Sequence, residues 1–264
     1  MSKPEDKQNA RETAERSEVE EKKQTLLYHL NALRKVLVVS AGAVLIAFAA
    51  IFYGCIDWMM GLITGPISAR GIELIYTAMS EALMTKFKVA LIAGVVVASP
   101  VIIWQLWRFI KPALYPHERK LFRLLFFVAL ILFLIGVVFC YFAVYFLAVD
   151  FFLISGENLA TPMLSIDKYV SFLFGFLLPF GVAFQLPVFM FITTRMGWTN
   201  ANSLASKRKY VILALAIVAA ILTPPDVVSQ LMLLVPMCVL FELGVLVSKT
   251  VKPRVREENA NEAA

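Results

Sequence analysis

The amino-acid sequence predicts an all-α integral membrane protein with six transmembrane helices, both termini cytoplasmic and the last two helices short. Three observations carry this. Sixty per cent of the 264 residues are apolar and only 17% are charged, against 45–50% apolar in ordinary soluble domains, and the mean hydropathy is +0.77. The charges are unevenly placed: residues 1–35 hold eight Lys/Arg and seven Asp/Glu, which leaves 29 charges for the other 229 residues. That is too few to coat a water-soluble globule of this size. What remains falls into apolar runs long enough for a hydrocarbon core about 30 Å thick.

Residues 1–27 form a polar cytosolic tail without the apolar core or small-residue cleavage site of a signal peptide. The membrane domain covers 28–248, and 249–264 is a charged cytosolic tail. The first span runs over about Lys35–Cys55, followed by a linker, Ile56–Ser80, containing Gly61, Gly65, Pro66 and Gly71. The second covers about Leu83–Phe109 with Pro100 inside it, and a polar hinge, Lys111–Lys120, leads to the third, about Leu121–Val149. Asp150–Lys168 reads as a loop, Tyr169–Thr194 as the fourth span, and Arg195–Lys209 as a loop with turn character at Trp198, Asn200 and Asn202.

The last two spans are less ordinary. Tyr210–Leu222 is 13 residues, about 20 Å as a helix. Thr223-Pro-Pro-Asp226 is a stop-and-turn signal, since proline lacks an N–H and restricts its predecessor. Val227–Val247 follows, interrupted by Pro236 and Glu242. Two short spans are preferred over a re-entrant hairpin, because Lys207, Arg208 and Lys209 can snorkel and the bilayer can thin around the fifth.

The basic residues set orientation. Twenty-one of the 25 lie in the N-tail, the second-to-third hinge, the fourth-to-fifth loop and the C-tail; only Arg70, Lys86, Lys88 and Lys168 lie on the other side. The positive-inside rule places both termini in the cytoplasm and accounts for the net charge of +6 without nucleic acid. No internal repeat is evident, which weakens a transporter built on inverted halves.

Chemistry for catalysis is missing. Gly-x-Ser-x-Gly, a P-loop, His-Glu-x-x-His and Gly-x-Gly-x-x-Gly are all absent. The two histidines, His29 and His117, sit at span margins. Cys55, Cys140 and Cys238 are scattered through apolar runs and read as packed thiols. The chain is therefore read as a binding or transport scaffold rather than an enzyme, with no cofactor or metal expected.

The informative stretch is Ser99–Lys120. Pro100 bends the second span, and Trp104, Trp107 and Tyr115 have the character of interfacial anchors. Glu118 is the only acid between Glu81 and Asp150 and lies among five basic residues. It can complement a helix dipole, or it can stand ready for a cationic ligand.

This stretch, together with His29-Leu-Asn-Ala-Leu-Arg-Lys35, Phe180-Gly-Val-Ala-Phe-Gln-Leu-Pro187, Leu222-Thr-Pro-Pro-Asp-Val-Val-Ser-Gln230 and Pro236-Met-Cys-Val-Leu-Phe-Glu-Leu-Gly244, closely resembles the TatC family, the receptor subunits of the twin-arginine protein translocase. The resemblance implies a receptor that binds twin-arginine signal peptides at its cytoplasmic face. With small single-span TatA/TatB-type partners, and as a homo-oligomer within the complex, it would support export of folded proteins driven by the proton-motive force. The expected location is a bacterial cytoplasmic membrane in preference to a thylakoid membrane.

Carboxylate is the natural acceptor for paired guanidinium groups. By resemblance the peptide site comprises Glu118, Phe109, Leu114, Arg34, Asn31 and His29. One departure stands out. The family motif usually reads His-Leu-x-Glu-Leu-Arg, and here the Glu position is Ala32. The chain could bind weaker signals, or Glu20 or Glu21 could substitute. The favoured reading is that Glu118 suffices, with Asn31 as a neutral acceptor. Gln185, in mid-span, must find partners inside the protein: it ties helices together or lines a polar pocket facing the bilayer. The resemblance also implies docking of partner subunits around Thr223, Asp226 and Gln230, while Asp226 can equally cap the last helix. Glu242 snorkels or accepts from a neighbour. Pro66 is read as a turn former at a position where relatives carry proline. The runner-up function is a six-span solute transporter coupled through Gln185 and Glu242, and a purely structural membrane scaffold comes third.

Overall fold

The structure, a computed structural model, describes residues 31–110, 119–156, 162–223 and 226–250. Helix α1, Asn31–Gly54, has a continuous apolar stretch of which only 6% is fully buried, the rest being exposed or half-buried. A turn at Cys55 leads straight into α2, Ile56–Ser68. The expected linker is thus largely helical, because Ile56, Ile63 and Ile67 recur at helical spacing and bury one face. Pro66 lies inside this helix rather than in a turn. Its missing N–H leaves the Leu62 carbonyl without a helical partner, and the Tyr141 hydroxyl donates to that carbonyl at 2.8 Å. Gly71, with φ of +76°, ends the segment.

Strand β1, Leu74–Ile75, pairs in parallel with β2, Leu164–Ser165, placing Leu74 opposite Leu164 and Ile75 opposite Ser165. This small sheet marks one end of the bundle, the sheet end; the start of α1 marks the other, the tail end. Helix α3, Glu81–Ile110, carries Pro100 within an unbroken 30-residue helix. Helix α4, Arg119–Phe139, runs through a π-helical turn, Cys140–Tyr145, into α5, Phe146–Gly156. The third span therefore overruns its expected end at Val149, and Asp150 is helical rather than the start of a loop. The reason is that Phe151, Phe152, Leu153 and Ile154 continue the apolar run.

Helix α6, Ile166–Ala183, starts where the Ser165 hydroxyl accepts from the Lys168 N–H. It is followed by α7, Leu186–Arg195. The break at Phe184–Gln185 has a local cause: Pro187 cannot donate to the Ala183 carbonyl, and the Gln185 N–H instead bonds the Val182 carbonyl in a tightened turn. A short helix, α8 (Ala201–Ser206), occupies the expected loop, because the Asn200 side chain caps it by accepting from the Ser203 N–H at 2.6 Å.

Helix α9, Arg208–Leu222, has 15 residues, about 22 Å, and is short as expected. Helix α10, Val227–Thr250, is not: its 24 residues run unbroken through Pro236 and Glu242 for about 36 Å. Only one of the last two helices is short, because packing of α10 on its neighbours, as of Leu233, Met237 and Phe241 on Phe176 and Phe180, carries a transmembrane helix past a single proline. Among the described residues five helical stretches are long and apolar enough to cross a membrane: α1, α3, α4–α5, α6–α7 and α10.

Three apolar clusters hold the bundle. One joins Phe176 and Phe180 of α6 to Leu233, Met237 and Phe241 of α10. A second joins Ile67, Val89, Tyr145, Val170 and Leu173. The third joins Ile103 and Trp107 to Ala129, Phe133 and Val188. Helix α6 is central, and glycines let α4 approach it: a Cβ at Gly136 would lie 2.8 Å from the Phe180 carbonyl oxygen, and one at Gly181 would lie 2.7 Å from the Phe133 ring. Small residues at such crossings are the usual device of membrane helices.

Candidate binding surfaces at the two ends of the bundle

Asn31 and Arg34 project from the exposed first turn of α1 at the tail end, with Ala32 half-buried between them. Phe109 is half-buried at the end of α3, the same end of the bundle. His29, Leu114 and Glu118, and Tyr115 with the rest of the hinge to residue 118, lie outside the described residues, as do both tails. Trp104 is 43% exposed and edge-on to Phe126 with ring centroids 5.1 Å apart, an exposure that an interfacial anchor requires. Trp107 lacks it. It is 4% exposed and fills the cluster with Ile103, Leu125 and Ile192, so the expectation of an interfacial anchor there is wrong. One residue type serves both roles, and α3 turns Trp107 towards α4 and α7.

Glu242 and Arg208 form a two-pronged ion pair, with Nε to Oε1 at 2.8 Å and Nη2 to Oε2 at 2.9 Å, both side chains about half exposed. Glu242 thus accepts from a neighbour, and Arg208 is held to α10 rather than left to snorkel. Gln185, in the α6–α7 break, donates from Nε2 to the Ala129 carbonyl at 3.1 Å. It ties the fourth span to the third, the first of the two roles open to it. At the sheet end, Thr223 donates to the Ala219 carbonyl at 2.8 Å and Gln230 to the Ala216 carbonyl at 3.0 Å. Asp226 accepts from the Ser229 N–H at 2.6 Å, capping α10. These three residues flank one turn, but among the described residues their side-chain hydrogen bonds go to backbone and not to each other.

Sequence reasoning missed a polar network at the sheet end. One oxygen of Glu81 accepts from the Thr77 N–H at 2.6 Å, the Thr77 hydroxyl at 2.8 Å and the Ala78 N–H at 3.3 Å. The other accepts from the Ser165 hydroxyl and from the Asp167 N–H at 3.2 Å. One carboxylate therefore clamps the loop before α3 to the loop before α6, beside the β1–β2 pair. Around it Lys88 pairs with Asp167, Lys86 with Asp57 at 2.7 Å, and Arg70 with Asp150 at 2.8 Å. The Arg70 guanidinium also lies 5.3 Å from the Phe146 ring centroid. The sequence signal was available: Asp57, Glu81, Asp150 and Asp167 border the same spans as Arg70, Lys86 and Lys88.

Cys140 is buried, Cys238 half-buried and Cys55 exposed, so the reading of packed thiols fails for Cys55, which sits in the α1–α2 turn. Among the described residues no three His, Cys, Asp or Glu side chains gather as metal ligands.

Five long apolar helical stretches among the described residues, tied to one another by bonds such as Gln185 to the Ala129 carbonyl and Tyr141 to the Leu62 carbonyl, define a polytopic membrane protein. The particular family follows from comparison. Residues 28–236 match the family model described as Sec-independent protein translocase protein (TatC). The chain is 40% identical over 237 residues to the Sec-independent protein translocase protein TatC of Carboxydothermus hydrogenoformans, covering 89% of this chain and 97% of that protein. It is 37% identical over 240 residues to the Escherichia coli K12 protein of the same name, covering 89% and 93%. A crystal structure of the twin-arginine translocase receptor TatC superposes with a TM-score of 0.76 at 37% identity, covering 84% of this chain and 98% of that one. The chain belongs to the TatC family and is a membrane component of twin-arginine protein transport.

Proposed function

We propose that this chain is the receptor subunit of a twin-arginine translocase, binding the arginine pair of signal peptides at a cytoplasmic face around Glu118. The observation that carries this reading is the full-length likeness to a solved twin-arginine translocase receptor, on a chain whose hinge retains one carboxylate among basic residues. Phe109 and Leu114 flank the site, and His29, Asn31 and Arg34 border it from the start of α1. Six spans place both termini in the cytoplasm of a bacterial cell, with α9 as a sixth, short crossing. Single-span TatA/TatB-type subunits dock against the α9–α10 turn near Thr223, Asp226 and Gln230 and along the membrane face bearing Gln185 and Glu242. Pro66 shapes the outer helix α2, and export draws on the proton-motive force with several copies of the chain in one complex.

A twin-arginine peptide carrying a photoreactive group beside its arginines tests the reading. It should crosslink to residues 109–123 in native membranes. Glu118→Ala should abolish the crosslink and strand folded precursors in the cytoplasm, with the protein still present in the membrane. Unchanged export in that variant overturns the assignment of Glu118.

A further inference from the structure

Between α5, the start of α6 and the start of α10 lies a cavity of about 380 Å³, open on one side, at the sheet end, a volume in the range of small-ligand pockets. Its walls are Val149, Phe152, Leu153, Tyr169 and Phe172. Tyr169 presents only its ring, because its hydroxyl is spent on the Ile63 carbonyl at 3.0 Å. Two charged side chains border the space, Lys168 and Asp226. Such walls offer a water molecule almost none of the two to four polar partners it needs.

The two charged groups differ from the others at this end. Arg70, Lys86 and Lys88 are each paired with a carboxylate. Lys168 is exposed and makes no ion pair among the described residues. Asp226 uses one side-chain oxygen to cap α10, and among the described residues the other has no hydrogen-bond partner. The two do not neutralise each other, yet they border one apolar space. Both stand where a spanning helix begins, Lys168 third in α6 and Asp226 immediately before α10. That is the depth of phospholipid headgroups for helices of this length.

We propose that this cavity is a specific phospholipid site. One acyl chain lies against Leu153 and the edge-to-face Phe152–Phe172 ring pair, whose centroids are 5.7 Å apart, the lipid phosphate meets the Lys168 ammonium, and a primary ammonium on the headgroup meets the second side-chain oxygen of Asp226. Charge complementarity at both ends of the headgroup selects a zwitterionic aminophospholipid, such as phosphatidylethanolamine, over an anionic one. The site is independent of peptide recognition at the tail end.

The test uses the full-length protein in phosphatidylcholine vesicles doped with phosphatidylethanolamine or phosphatidylglycerol bearing a photoactivatable acyl chain. Adducts are located by mass spectrometry of peptides. Phosphatidylethanolamine adducts should concentrate on peptides containing Phe152 and Phe172. Lys168→Glu should lower them about tenfold, the loss of one charge-assisted contact, whereas Lys86→Ala should leave them unchanged. A second variant, Leu153→Trp, fills the cavity without altering its charges and should also suppress the adducts. Equal labelling by phosphatidylglycerol, adducts spread evenly over exposed α1, or an unchanged yield in Lys168→Glu would each overturn the proposal.

Discussion

Ala32 puts a methyl group where the family motif carries a carboxylate. A charge-assisted contact to an arginine is worth about 1.5–3 kcal/mol when dry and less when wet. Asn31 and Arg34 on either side are exposed, so the lost contact belongs at the lower end of that scale. Ala32→Glu should therefore shift the peptide dissociation constant by less than about threefold, measured by fluorescence anisotropy with a twin-arginine peptide. A gain of tenfold or more would show that Glu118 alone does not suffice. Tryptophans 104 and 107 carry a second lesson at this scale. They are three residues apart in one helix, yet one meets the surface and the other fills the core. Composition alone cannot tell them apart, because the difference lies in which neighbour each side of α3 meets.

Where elements meet, prolines and glycines decide geometry through what they lack. Pro66 frees the Leu62 carbonyl and Tyr141 donates to it from the third span. Tyr141→Phe should cost about 1 kcal/mol. In Pro66→Ala, where residue 66 again donates to Leu62, the same change should cost much less, and a double-mutant cycle on thermal unfolding reads the coupling. An uncoupled pair would mean that the hydroxyl does not serve that carbonyl. At the α4–α6 crossing, Gly136→Ala pushes a methyl group against backbone, the Phe180 carbonyl, and should destabilise by about 1–3 kcal/mol. Gly61→Ala, with nothing within 4 Å of its Cβ, should be neutral or stabilising. Equal melting temperatures for the two variants would argue against the close crossing. Element boundaries were legible in the sequence to a few residues wherever an apolar run met a charge or a Gly/Pro cluster, as at α9. They failed at α2, whose glycines and proline mimic a linker, and at α10, where Pro236 and Glu242 suggested an interruption that packing on α6 and α7 overrides.

At the scale of the molecule, orientation is carried by charge. The three native cysteines supply a direct check: Cys140 is buried, Cys238 half-buried, and Cys55 exposed at the sheet end. A membrane-impermeant maleimide added to intact spheroplasts should label Cys55 alone, which Cys55→Ser removes. Labelling that requires permeabilisation would invert the proposed topology. The short α9, about 22 Å against a core of about 30 Å, sits beside the longer α10, so the bilayer next to this hairpin should be locally thin. A normal thickness around the reconstituted protein would count against that. By itself the sequence determined the membrane class, the order of the apolar runs and the charge asymmetry, together with the motifs that mark the family, because hydropathy, helix length and motif spacing are properties of neighbouring residues. Only the tertiary structure decided that Glu81, holding Thr77 locally, reaches Ser165 across 84 residues, that Gln185 ties to Ala129, that Arg208 and Glu242 pair, and that Lys168 and Asp226 border one apolar cavity. Each depends on two distant segments meeting, which no run of neighbouring residues encodes.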